Sequence, residues 1–466
     1  MLAAGVAAGH PATCEAGVEI LQAGGTAADA AVAASLASCV AETVMTGLLG
    51  GGHAIYHRPG DEWESLQTLD FFCSVPGLGA PPREPELLRL EVPFGAELVH
   101  YAVGIASCAV PGVPAGLHAL WEEHGRLDWR RLVAPALRLA RSGVRFPFAH
   151  AACLRMLAPV MTMREGERIY APHGRLLEAG QTLHQPGLVA ALEVVAAEGA
   201  RTVYEGTIAD ALLQLMGERG GLVTARDLEA YGVLRHDTAR AAYCGTVVHS
   251  RASAFDPLRP LSALPPLADS SPAARALALA AALDAPVAGG QTTNLCVVDR
   301  DGATCVLTTS LGLGSGDWLP DYDLHLNSML GEADLLVGPL VPGERMASMM
   351  SPTIAFADGR PALAIGSAGG TRLRSALVQV IEAILDERLP AQEAVDRPRL
   401  HRIGGVVHLE PGFAPEVTDA LTAAGYEVRT WDAPHHFFGG VSAVAPSGPA
   451  ADPRRSGAAA ALPAPR

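Results

Sequence analysis

Gly289-Gly290-Gln291-Thr292-Thr293-Asn294-Leu295-Cys296-Val297-Val298-Asp299, continued by Arg300-Asp301-Gly302 and Ala303-Thr304-Cys305-Val306-Leu307-Thr308-Thr309-Ser310, reads as a β-hairpin that begins with a nucleophile. The flanking runs are rich in β-formers, and the Asp299 to Gly302 cluster has the turn chemistry of Asp side-chain hydrogen bonds and a glycine free to take positive φ. Pairing Val298 with Ala303 sets Thr292 opposite Thr309, beside Ser310, whereas a slip of one residue would reassign the faces. A threonine hydroxyl is a weak nucleophile and needs a base. Cleavage before Thr292 would supply one, since the freed α-amino group titrates at about pH 8 on the same residue. Gly289 and Gly290 suit a tight backbone open to attack during such self-cleavage. Taken alone, the segment also reads as an ordinary hairpin whose polar residues cap its edge.

Outward from this hairpin, the chain is that of a well-buried globular protein. Of its 466 residues, 49% are hydrophobic and 18% charged, which argues against extensive disorder. Length alone suggests about three domains, although layered α/β proteins also run this long as one unit. Every basic residue is Arg, no basic run is present, and the net charge is −15, so nucleic-acid binding is excluded as the main activity. No basic-then-apolar segment precedes the fold, which leads to an expectation of a cytoplasmic protein. The Ala-rich stretch from Ala273 to Ala285 carries Arg and Asp and is too short to cross a bilayer, so no membrane partner is expected. The eight cysteines show no CxxC spacing and no cluster with His, the pattern of buried thiols; neither a metal nor a cofactor is called for.

Helical spacing runs from His10 to Ala41 with a break at Gly24-Gly25, and the Ala-rich second half must pack closely on most sides. A glycine-rich turn, Gly47 to Gly52, leads into a strand from His53 to His57. Pro111-Gly112-Val113-Pro114 starts a helix, and others are predicted at about Trp129 to Ser142 and Pro186 to Glu198. Gly220 to Leu228 reads as a strand followed by a helix capped by Thr224. Arg251 to Ser271, rich in Pro and Ser, reads as a loop. Leu363-Ala364-Ile365-Gly366-Ser367-Ala368-Gly369-Gly370 precedes a helix from about Arg372 to Asp386. Strand, glycine pair, helix is a geometry that aims backbone N–H groups at one point, which makes Gly369 and Gly370 candidate oxyanion donors; it is also a common plain turn.

Together these segments resemble the γ-glutamyltranspeptidases, N-terminal-nucleophile hydrolases that cleave themselves before a Thr-Thr pair. The resemblance covers nearly the whole chain and weakens between Tyr243 and Gly290, where family members usually carry a longer helical stretch. It implies an α+β fold, a four-layer αββα sandwich of two mostly antiparallel sheets between helices. It also implies cleavage between Gln291 and Thr292 into a large subunit, residues 1–291, and a small subunit, 292–466. Thr292 would be the nucleophile, Ser310 would hold it in place of the family's threonine, and Gly369 and Gly370 would bind the oxyanion.

The recognition residues depart from that pattern. Where the family has Asp-Phe-Arg-Glu, this chain has Asp70-Phe71-Phe72-Cys73, so the arginine that clamps an α-carboxylate is a phenylalanine. The aspartate that binds the α-amine in Asn-x-Met-Asp is lost in Asn327-Ser328-Met329-Leu330-Gly331, and only the neighbouring Glu332 could compensate. The family's Ser-Ser pair is Ser348-Met349, and an expected Asn is Gly312. Phe72, Asn327, Ser328, Glu332, Ser348 and Met349 are therefore the candidate substrate-binding residues. Losing buried charged contacts costs several kcal/mol in recognition, so a γ-glutamyl group should be a poor substrate. The resemblance then points to a retained nucleophile acting on another small molecule. One candidate is a C–C bond that releases a keto-acid fragment, as in relatives that build 4-alkylproline antibiotics. The alternatives are hydrolysis or transfer of a γ-glutamyl or other amide by a remodelled pocket, and a non-catalytic relative that binds without processing. His435 and His436 are open to three readings: pocket lining, a catalytic acid, or a structural role.

Overall fold

The computed structural model describes residues 1–81, 85–94, 97–253, 255–285, 292–370 and 372–463. Gly289, Gly290 and Gln291, and with them the expected scissile bond, lie outside the described residues.

Twelve strands pair antiparallel in one large sheet: β1 (Gly5–Ala8), β2 (Gly51–His57), β3 (Gln67–Phe71), β4 (Leu234–Tyr243), β5 (Thr246–Arg251), β6 (Thr293–Val298), β7 (Thr304–Ser310), β8 (Thr353–Ala357), β9 (Arg360–Ala368), β10 (Gly440–Ala445), β11 (Gly448–Ala451) and β12 (Ala458–Ala461). Across the sheet they run β11-β10-β9-β8-β5-β4-β3-β2-β7-β6-β1-β12. The long strand β4 hands the chain from one half to the other, pairing with β3 through Leu234 to Asp237 and with β5 from Thr238 onward.

Side-chain alternation explains the layering. Along β6, Leu295 and Val297 join a cluster with the helices α1 (Pro11–Gln22) and α2 (Ala27–Ala41). Cys296 and Val298 point the other way, where they meet Ile354, Phe356, Ala364 and Val444 from the second half of the sheet. A strand covered on both faces must be apolar on both, and from Leu295 to Val298 this one is. The outer face of the second half, with Val248, Leu363 and Ile365, is covered by α3 (Arg372–Leu385) through Leu373, Leu377, Ile381 and its other apolar residues. This is a mixed α/β fold with a large antiparallel sheet. No helix among the described residues is long and apolar enough to cross a membrane.

Helix α2 is buried along its whole length, as its Ala content requires. A reciprocal Thr26 and Asp29 capping box starts it, and the Asp299 carboxylate accepts the Ala27 N–H at 2.8 Å, tying the helix to the β6–β7 turn. The same aspartate corrects the expected hairpin register. Its Oδ1 accepts from the N–H groups of Asp301 and Ala303, its own N–H donates to the Ala303 carbonyl at 3.0 Å, and Gly302 takes φ 88°. Ala303 therefore belongs to the turn. Val298 pairs with Thr304 and Thr293, not Thr292, lies opposite Thr309.

Two further expectations change. Within Arg251 to Ser271 a short helix, Leu258–Ala263, is present, started by the Asp256 carboxylate accepting the Leu258 N–H and held by buried Leu258 and Leu261. The Gly220 to Val223 segment is not a strand: Gly220 at φ 75° and the Gly221 N–H to Met216 carbonyl bond close the preceding helix instead. Thr224 does cap Ala225–Ala230, in a capping box with Asp227.

Candidate active site

The one-residue shift in register decides which threonine faces which side. Thr293 falls on the helix side, where its hydroxyl donates to Glu42 at the end of α2, and the Thr13 hydroxyl donates to the other oxygen of that carboxylate at 2.7 Å. Continuing the alternation, Thr292 falls with Asn294 and Cys296 on the side of the second half-sheet. Thr292 is buried, 4% exposed, and stands between two small cavities, lining both. The polar one is also lined by Gly9, Glu42, His150, Asn294, Asp452 and Arg455. The apolar one is lined by Phe72, Ser310, Met329, Glu332, Leu335, Ser348, Met349, Met350, Gly370 and Leu373.

On the polar side, burial pushes the Glu42 carboxyl up to about 7, against its bonds from Thr293 and Thr13 and the charge of Arg455. Gly9 leaves the room this needs: a Cβ there would stand 2.4 Å from the Glu42 carboxylate and 2.7 Å from the Thr293 hydroxyl. Sequence reasoning missed Glu42 and Arg455. A signal for Glu42 existed, since it is the only Asp, Glu, Lys or Arg between Asp29 and Arg58.

On the apolar side the structure brings together Thr292, Ser310, Gly370, Phe72, Glu332, Ser348 and Met349 from the sequence prediction. Ser310 Oγ accepts the Gly312 N–H at 3.0 Å. Phe72 stacks on the buried His53 ring, with centroids 5.7 Å apart. Behind that wall Arg345 pairs with Asp70 at 3.4 Å, and Arg251 donates to the carbonyls of Ser348 and Met350. Glu332 is 4% exposed and its Oε1 has no hydrogen-bond partner among the described residues. Gly312 makes space for that oxygen, since a Cβ at 312 would lie 2.3 Å from it. Gly331 is required by packing: a Cβ there would stand 1.6 Å from the Ala102 carbonyl oxygen, where the backbone pairs Tyr101 with Glu332.

Burial, reinforced by the charge of Asp334 and opposed by a bond from the Leu313 N–H, pushes the Glu332 carboxyl up to about 8 from an ordinary 4.5. The folded state then keeps a proton that the unfolded state loses, so this group makes stability fall as pH rises from about 4.5 to 8. Glu332→Gln, which cannot ionise, is expected to melt with the wild type at pH 5 and above it at pH 9, measured by calorimetry. A variant melting below the wild type at pH 9 would contradict that placement of the proton.

Gly369 and Gly370 lie between β9 and α3 at φ 130° and 60°, conformations that favour glycine. Gly370 reaches the apolar cavity, while Gly369 packs against Arg455 and Gly439. Asn327 and Ser328 stand behind the cavity. The Asn327 amide donates to the Leu49 and Ala109 carbonyls at 2.8 Å and its oxygen accepts from Ala109 and Met329, while the Ser328 hydroxyl accepts the Leu313 N–H at 3.0 Å. His435 and His436 are not among the described residues lining either cavity at Thr292. His435 caps the short turn His436–Phe438 through Nδ1 and packs at a tilt on the Trp431 ring. Burial lowers the pKa of both histidines. All eight cysteines are unpaired thiols; Cys244 is half-buried and the others are buried.

This chain belongs to the gamma-glutamyltranspeptidase family, whose model matches residues 13–254 and 266–462. The break in the match falls in the Pro-rich stretch where the sequence resemblance weakens. Among curated relatives, the chain is 28% identical to an acylase ACY 1 proenzyme of Pseudomonas sp. (strain V22) over 91% of this chain and 87% of that one. It is 25% identical to the glutathione hydrolase proenzyme of Bacillus subtilis (strain 168), over 91% and 85%. Its fold matches the crystal structure of cephalosporin acylase from Bacillus halodurans with a TM-score of 0.82, at 21% identity, over 99% of this chain and 96% of that one.

Proposed function

We propose that this chain is an autoprocessed N-terminal-threonine hydrolase that acts on an acyl group other than γ-glutamyl. The observation that carries the reading is the apolar cavity at Thr292, lined by Phe72 and Met349, which stand where the family resemblance puts polar groups that bind glutamate. Cleavage between Gln291 and Thr292 would give subunits of residues 1–291 and 292–466, interlaced in a four-layer αββα unit. The three apolar clusters, one between the half-sheets and one on each outer face, favour that layering. That the curated relatives are proenzymes also supports processing.

In the mechanism, the Thr292 hydroxyl gives its proton to its own α-amine and attacks the substrate carbonyl. The oxyanion forms at the N–H groups of Gly369 and Gly370, and Ser310 steadies the nucleophile. The leaving group departs with that proton as an acyl–Thr292 ester forms, and water then hydrolyses the ester. The substrate we put first is a conjugated keto-acid side chain, in which the broken bond is C–C and the departing carbon is stabilised by conjugation. This would be a step toward a 4-alkylproline-type antibiotic building block. It rests on likeness to family members with that activity. Amide hydrolysis is the second reading, favoured by the acylase relative.

Intact mass and N-terminal sequencing of the purified protein test the proposal, followed by comparison of a conjugated keto acid, acyl anilides and a γ-glutamyl anilide. Fragments beginning at Thr292 and turnover of the first or second substrate faster than the third are expected. A chain that stays whole and turns over none of them would make it a non-catalytic binding relative.

A further inference from the structure

Glu332 has no role in the mechanism above, yet it is the one acidic or basic residue among the described residues lining the apolar cavity. The lining is mostly apolar, through Phe72, Met329, Leu335, Met349, Met350 and Leu373, and its other polar side chains, Thr292, Ser310 and Ser348, are hydroxyls that bring no positive charge to a carboxylate. An unpartnered buried oxygen costs free energy, and its presence at a cavity beside a nucleophile points to a ligand that completes it.

The groups facing Glu332 decide what that ligand offers. Asp334, on the following turn, adds negative charge. Tyr101, across the backbone pairing, and Cys73, beside Phe72, bring no cation. The arginines behind the wall are engaged elsewhere: Arg251 with the Ser348 and Met350 carbonyls and Arg345 with Asp70. Arg372 on α3 faces Tyr101 and Asp334. A carboxylate in this setting is stabilised by taking up a proton, which turns it from acceptor to donor. An α-amino acid group is poorly served here, because its carboxylate would lie against Phe72 and Met349.

We propose that Glu332 enters the site as an uncharged carboxylic acid and donates a hydrogen bond to a second oxygen function, carbonyl or carboxylate, borne by an acyl group that lacks an α-ammonium. This deepens the reading of Thr292 as an acyl-accepting nucleophile and rests on it for the identity of the ligand. Glu332 is then a specificity-determining residue, and the polar mark it recognises lies apart from the carbonyl that is attacked.

Glutarate binding to the full chain, followed by calorimetry at pH 9 in two buffers of different ionisation enthalpy, tests this with or without processing. The wild type is expected to take up close to one proton per ligand at pH 9 and none at pH 6, and Glu332→Gln none at either. Glu332→Gln, still a donor, is expected to bind within a few-fold of the wild type, and Glu332→Ala about 10- to 100-fold more weakly. Hydrolysis of glutaryl and 4-oxopentanoyl anilides by the same variants tells carboxylate from ketone recognition. No glutarate binding, no proton uptake, a Gln variant as weak as the Ala variant, or a preference for γ-glutamyl anilide would each overturn the proposal. A chain that stays uncut yet shows the proton uptake would remove the nucleophile and leave this assignment of Glu332 standing; a cut, active chain without it would do the reverse.

Discussion

Replacing Thr292 by alanine is expected to give a folded protein that stays a single chain and loses turnover by about 10⁵-fold or more, the scale seen when a covalent nucleophile is deleted. The substitution removes one hydroxyl and one methyl from a side chain with little exposure, so the fold should survive it. In the proposed mechanism the lost oxygen is the one that attacks its own backbone and later accepts the acyl group. Thr293→Ala is the informative companion. Because the Thr293 hydroxyl is committed to Glu42 on the far side of the strand, that variant should still yield a fragment beginning at residue 292. Mass spectrometry of both variants reads the outcome. Cleavage persisting in Thr292→Ala and failing in Thr293→Ala would transfer the nucleophile to residue 293 and undo the face assignment made from the register.

That register shows where sequence reading ran out. The hairpin, the all-buried Ala helix and the strand, glycine pair, helix unit were legible because each is local: alternation, composition and turn residues act within a few positions. The faces of the hairpin were not. They depend on whether Ala303 sits in the turn or the strand, and hydrogen bonds from Asp301 and Ala303 to Asp299 decide that. The apolar lining of the cavity at Thr292 was visible in Phe72 and Met349, whose side chains do not need a partner to be interpreted. Glu332 could be named but not understood, because the upward push on its pKa follows from burial by segments more than two hundred residues apart in sequence, Phe72 and Met329 among them. Glu42 was overlooked for the same reason, since nothing near it in sequence announces Thr13 and Thr293 as partners.

Arg454→Ala is expected to destabilise the protein by about 3–5 kcal/mol, the cost of leaving buried carboxylates without their cation. Arg454 donates to Glu410 through Nε at 2.7 Å and Nη2 at 2.6 Å, and its Nη1 lies 3.2 Å from Asp452. Asp452 in turn holds Arg399 at 2.7 Å and accepts the Val441 N–H at 3.0 Å at the start of β10. All four side chains are almost wholly buried. Burial pushes the Asp452 carboxyl up, but Arg399 and Arg454 outweigh it and hold it below the ordinary carboxylate range. Its contribution is therefore complete above that range and is lost as pH falls through its folded value, the reverse of the trend assigned to Glu332. Denaturant titration of the wild type and Arg454→Ala at pH 7 and at pH 3 should show the gap between them narrowing in acid. A variant as stable as the wild type at pH 7 would mean that the carboxylates find other partners. Because Arg455 follows directly and packs against Gly369, Arg454→Ala should also slow turnover through the proposed oxyanion turn, whereas a purely global loss of stability would leave the rate of the folded fraction unchanged.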